Sequence, residues 1–110
     1  MQQQLSPAFP LSWETWFEDA EQPATVRITG VLDRAGASPL HDHLTWLQAC
    51  GCRPIVLDLA DVTFMDSGGY ELLCELGRTC EESGYEIIVR APSVAVRRVL
   101  EVVGWPPGLL

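Results

Sequence analysis

A chain of 110 residues, 47% of them hydrophobic, is long enough for one domain with one core and too apolar for intrinsic disorder. Its 15 acidic residues stand against 7 basic ones, all arginine, for a formal charge of −8. That balance repels phosphate backbones and anionic lipid, so no nucleic-acid partner is expected; it suits a basic protein surface, or serves solubility alone. No run approaches the roughly 18 to 20 apolar residues of a membrane span, and no secretory leader is recognisable, so direct membrane insertion is not expected and a cytoplasmic location is.

Residues 1–10 are polar and proline-bearing and are expected to be a loose lead, with the domain over 11–110. Leu11, Trp13, Thr15 and Phe17 alternate with Ser12, Glu14 and Trp16, which predicts a first strand with one buried face. Trp16, on the other face, reads as cover for a sheet edge or, less readily, as a partner contact. After a polar turn over 18–23, Val26, Ile28 and Leu32 predict a second, antiparallel strand with a bend at Gly30. Residues 34–38 read as a loop. Ser38-Pro39 then looks like a helix start, followed by an apolar stripe of Leu40, Leu44 and Leu47 with His43 alongside and Trp46 off its centre.

The helix is expected to end near Cys50-Gly51, and Pro54 introduces a third strand over 55–59. A second helix is predicted from Ser67 to Ser83, stopped by Gly84, with Gly77 in its middle either weakening it or permitting close packing. Residues 85–90 predict a fourth strand. Pro92-Ser93 opens a third helix with an apolar stripe of Val96, Val99, Leu100 and Val103, and Gly104 ends it. Strand–helix–strand order favours parallel neighbours joined by right-handed crossovers. The expected fold is a single small α/β domain, a four- to five-stranded mixed sheet with helices mainly on one face.

Cys50 and Cys52 are separated by one residue, and Cys74 and Cys80 lie six apart, so neither pair has the spacing of a redox or zinc hook. All four are expected as buried or half-buried thiols. His41 and His43, two apart, are poorly spaced for a shared metal on a helix, and no metal or cofactor is expected.

The stretch over 55–76 organises the rest: a short apolar strand, then Asp66-Ser67-Gly68-Gly69, then Leu72, Leu73 and Leu76 at helical spacing. The start of a helix leaves backbone N–H groups without partners, and these favour negative charge. A phosphate on Ser67 would meet those donors, with Gly68 and Gly69 allowing close approach, and Asp66 is placed to orient the hydroxyl or to help bind magnesium brought with nucleotide. From local physics alone, the favoured account makes Ser67 and Asp66 simple helix caps. Asp33, at the end of the second strand, shares the carboxyl end of the sheet with Ser67 and is either a cap for its own loop or part of the same surface. A hydrolase is not supported, because Met65 occupies the first glycine position of a G-x-S-x-G elbow. Without G-x-x-x-x-G-K, and without any lysine, the chain is no nucleotide-binding kinase either.

The pattern resembles a STAS domain, and specifically the bacterial anti-sigma factor antagonists. The motif VLDLADVTFMDSGG over 56–69 carries the resemblance, supported by VRITGVLD over 26–33 and APSVAVRRVLEVVGW over 91–105, within a family core over 25–105. The resemblance implies a non-enzymatic binding module that captures an anti-sigma factor with serine kinase activity, is phosphorylated by it, and is restored by a serine phosphatase. Ser67 matches the phosphoacceptor, Asp66 the aspartate before it, and Asp33 the acidic residue near the kinase surface. The chain departs from the usual D-S-S-G at Gly68, which removes a hydroxyl and is expected to loosen the helix start. It departs again at Tyr70, which is expected to contact a partner or shield Ser67. The resemblance leaves a second reading open, a STAS module without a serine switch in a lipid-transport complex or a stress-signalling scaffold. Pairing with a second copy is also left open.

Overall fold

A computed structural model describes residues 2–5, 11–19 and 22–110. Five strands, β1 (Gln2–Leu5), β2 (Leu11–Phe17), β3 (Ala24–Leu32), β4 (Ile55–Met65) and β5 (Ile87–Arg90), form one sheet in sequence order. β1, β2 and β3 pair antiparallel; β3, β4 and β5 pair parallel. The helices are α1 (Arg34–Ala49), α2 (Ser67–Ser83) and α3 (Val94–Val103). Two successive crossovers, β3–α1–β4 and β4–α2–β5, of the kind that are right-handed as a rule, bring α1 and α2 against each other. The core lies between them and the sheet: Val26, Ile28, Ile55, Leu57 and Ile87 below, Leu40, Leu44, Leu47, Leu73 and Leu76 above, all at most 2% exposed. Each such side chain contributes about 1.5 to 3 kcal/mol through removal from water.

Four expectations are corrected. Gln2–Leu5, expected to be loose, pair with β2 as the outer strand; residue 1, residues 6–10 and positions 20 and 21 of the expected turn lie outside the described residues. Trp16 therefore sits in an interior strand rather than over an edge, with the Arg27 guanidinium 5.4 Å from its ring centre. β4 does not stop at Leu59. Its register against β3 slips between Arg27 and Thr29 and again between Gly30 and Val31, and each slip adds one residue on the β4 side. Each bulge resets the alternation of faces, so Asp58 and Leu59 are both buried and period two is lost while the strand continues. Finally, α1 begins at Arg34, four residues before Ser38, and Pro39 lies inside it. At that depth proline forgoes one bond, to the carbonyl of solvent-exposed Ala35.

α1 is seated on β2 by polar as well as apolar contacts. His43 Nε2 and the buried Thr15 hydroxyl share a 2.7 Å hydrogen bond. The imidazole lies between Trp13 and Trp46, at 5.5 and 5.8 Å between ring centres. Burial holds the His43 pKa below the usual histidine value. On the other face of the sheet Asp58, itself buried, lies between two arginines, with Arg90 Nη2 at 3.4 Å and Arg27 Nε at 3.7 Å.

The carboxyl-terminal turn closes the other side. Gly77 does permit close packing: a Cβ there would collide with the Pro107 carbonyl. Leu110 donates to Ile87 O (3.1 Å) and accepts from Val89 N (2.9 Å) along β5. In α3, Val96 and Leu100 are buried, whereas Val103 is 52% exposed and lies outside the stripe assigned to it. The four thiols are unpaired, Cys52 and Cys80 buried, Cys50 and Cys74 half-buried. Among the described residues, no helix is long and apolar enough to cross a membrane.

Candidate functional site

Leu32 and Met65 are register partners at the last rung between β3 and β4. The next residues, Asp33 and Asp66, therefore leave the sheet side by side, and each caps the helix that follows. Asp33 Oδ1 accepts from Gly36 N and Asp66 Oδ1 from Gly69 N, both at 3.1 Å. Each aspartate's main-chain carbonyl takes the first helical bond, from Ala37 N and Tyr70 N respectively, both at 3.0 Å. Two helix mouths thus open next to each other at the carboxyl edge of the parallel strands.

The capping geometry expected of Asp33 and of Asp66 is present at both mouths. Asp33 and Asp66 are the caps. Ser67 is the first residue of α2 and is exposed. Capping therefore accounts for the aspartate and leaves the hydroxyl without that task.

The glycines have a packing role that was not expected from the sequence. Gly68 and Gly69 are buried. A Cβ on Gly68 would stand 2.7 Å from Arg34 N and 2.8 Å from its Cα; one on Gly69 would collide with the Leu32 carbonyl. Their missing side chains let the two mouths and the end of β3 pack together. A serine at position 68, as in the usual D-S-S-G, would have to displace the Arg34 backbone. Tyr70, half-buried, turns its hydroxyl to the end of α3, donating to Gly104 O at 3.0 Å and Val103 O at 3.3 Å. The hydroxyl is anchored there rather than over Ser67. Its pKa is raised, first by a hydrogen bond with the Cys74 thiol and then by desolvation, so it remains a donor.

Between the two helices, just below Ser67, runs a groove of about 450 Å3 lined by Arg34, Ala37, Ser38, His41, Gly68, Glu71, Leu72 and Glu75. Two rungs cross it: Arg34 Nη2 to Glu71 Oε2 at 3.7 Å, and His41 Nε2 to Glu75 Oε1 at 3.6 Å. Arg34 was not singled out from sequence, because residues 34–38 read as a loop; once Asp33 is seen as a cap, Arg34 falls at a helix start beside the mouth of α2.

A family model described as "Mlab, STAS domain" matches residues 17–109. Osmosensory protein A of Mycobacterium tuberculosis is 31% identical over 70 residues, which is 63% of this chain and 44% of that protein, so the chain spans less than half the length of this relative. The solved anti-sigma factor antagonist SpoIIAA in its unphosphorylated form superposes with a TM-score of 0.72 at 21% identity, over 89% of this chain and 85% of that one. The Bacillus cell fate determinant SpoIIAA in its phosphorylated form gives 0.67 at 21% identity, over 89% and 88%. These structures share the fold, and the family match extends through both capped helices and the groove between them: the chain belongs to the STAS domain family.

Proposed function

We propose that the chain is an anti-sigma factor antagonist. It binds an anti-sigma factor with serine kinase activity while Ser67 is unmodified and releases it once Ser67 is phosphorylated; a serine phosphatase reverses the change. In the transfer, Ser67 Oγ attacks the γ-phosphorus of ATP held by the kinase. The bond to the bridging oxygen breaks, ADP leaves, and the hydroxyl proton passes to a base on the kinase. This chain supplies the acceptor and no catalytic group. Asp33, Asp66, Gly68, Gly69 and Tyr70 shape the surface around it.

The observation that carries this reading is the exposure of Ser67 at a helix start whose cap is already supplied by Asp66. A phosphate there adds about −1.5 to −2 charges to a surface a partner has to approach closely. Purification of the chain with its partners from its host, with mass spectrometry for phosphate, is the test. The expected outcome is an ATP-binding serine kinase bound to unmodified chain and absent from chain carrying phosphate on Ser67. A cognate kinase that binds and never modifies Ser67 overturns the switch.

A second reading is an interaction module without a serine switch, in a lipid-transport complex or a stress-signalling scaffold; the osmosensory relative's name favours the latter setting. A neighbouring permease gene would support it; a neighbouring histidine-kinase-like ATPase gene would support the switch.

A further inference from the structure

We propose that Arg34 is the side chain that holds a phosphoryl group on Ser67, leaving Glu71 to do so. The proposal rests on the reading of Ser67 as the phosphoacceptor. The backbone of Arg34 packs against Gly68, the residue after Ser67, with N and Cα 2.7 and 2.8 Å from where a Cβ would stand. From there its guanidinium reaches Glu71 at 3.7 Å. Glu71 follows Ser67 by four residues, so the two side chains lie on the same face of α2, one turn apart.

The Arg34–Glu71 pair is easily exchanged. Its side chains are 80% and 67% exposed, and an ion pair in that setting contributes about 0 to 1 kcal/mol. A phosphate carries more charge than a carboxylate and offers three acceptor oxygens that match the guanidinium fork. The other charged groups nearby are already engaged. Asp33 and Asp66 cap their helices, and His41 faces Glu75 one rung further along. Among the described residues, Arg34 is the one arginine lining the groove. Phosphorylation then does two things at once: it makes the mouth of α2 anionic and withdraws the first rung of the groove, turning the Glu71 carboxylate out to solvent.

The test uses the full chain with phosphoserine installed at position 67 during translation, so no kinase is needed, and follows the phosphate by 31P NMR across pH. Arg34→Gln is expected to raise the titration midpoint by about 0.5 pH unit, because a nearby cation favours the dianion, and Arg34→Lys to recover part of that shift. Glu71→Gln is expected to lower the midpoint, since it removes both a like charge and the competitor for Arg34. The exposed side chains leave the fold intact in all three variants, and 15N amide spectra verify that. An unchanged midpoint in Arg34→Gln, as expected if the helix N–H groups alone hold the phosphate, overturns the assignment. So does a rise in Glu71→Gln. Either result leaves the phosphoacceptor reading standing, because that reading fails separately, by absence of phosphate on Ser67 in the host.

Discussion

The mouths of α1 and α2 are near copies. Each follows a parallel strand, opens with an aspartate cap, and has a glycine at the third helical position whose N–H meets the cap at 3.1 Å. They differ in the first helical residue, Arg34 in one and Ser67 in the other, and in what stands behind the glycines. A Cβ on Gly36 would meet the end of the Leu11 side chain, with Cδ2 at 2.6 Å, whereas Cβ atoms on Gly68 and Gly69 would run into backbone. Shared capping geometry therefore does not make the two mouths equivalent. One mouth places a hydroxyl on a rigid base and the other places a cation beside it.

The sharpest way to break the comparison is to exchange the first residues. Ser67→Ala is expected to reduce phosphate transfer by the cognate kinase to background, and adding Arg34→Ser, which puts an Asp-Ser pair at the mouth of α1, is not expected to restore it; radiolabelled ATP measures both. Recovery at position 34 would mean that a capped serine suffices, whatever lies beneath it.

Next in size is the rigidity of the bases. Gly68→Ser and Gly69→Ala are each expected to destabilise the fold by about 1 to 3 kcal/mol through overpacking against backbone. Gly36→Ala is expected to change stability by less than about 1 kcal/mol, since a leucine side chain can shift and alanine favours the helix. Urea unfolding of the three variants measures the contrast. Removing the caps comes third: Asp33→Ala and Asp66→Ala should each cost about 1 kcal/mol, and equal costs would show that the two caps are equivalent.

The smallest effect separates the helices by pH. Burial favours neutral His43 in the fold, while the unfolded chain takes up a proton near the ordinary histidine value of about 6.5. The stability this provides is present above that value and declines as pH falls below it. α2 contains no histidine. Hydrogen exchange at pH 7.5 and 5.5 is therefore expected to show α1 loosening on β2 in acid with less change in α2.

Much of this was legible in the sequence because local chemistry and final structure agree. β2 alternates strictly, α2 runs from Ser67 to Ser83, and Gly84 ends it at φ 71°. Where they disagree, the sequence misleads. The two bulges in β4 erase its period. The start of α1 is hidden by Gly36 and by Pro39, which imitates a first-turn proline. Ser67 and Asp66 could be placed at a helix start from their motif, whereas the space at Gly68 and Gly69, expected to admit a phosphate, is met by backbone that the motif does not announce. Which backbone approaches, and the arginine it carries, depends on α1 lying against α2, a contact between residues more than thirty positions apart.

The main-chain pairing of Leu110 with β5 bears on how the domain meets other proteins. A strand with unsatisfied amides invites another strand to add to it. Here the flank beyond Ile87 and Val89 is already occupied by the molecule's own carboxyl-terminal turn. A visiting peptide that added to the sheet at this flank would first have to displace that turn. If Ser67 is read by a partner as proposed, that partner is expected to dock through side chains and helix ends rather than by adding a strand at β5.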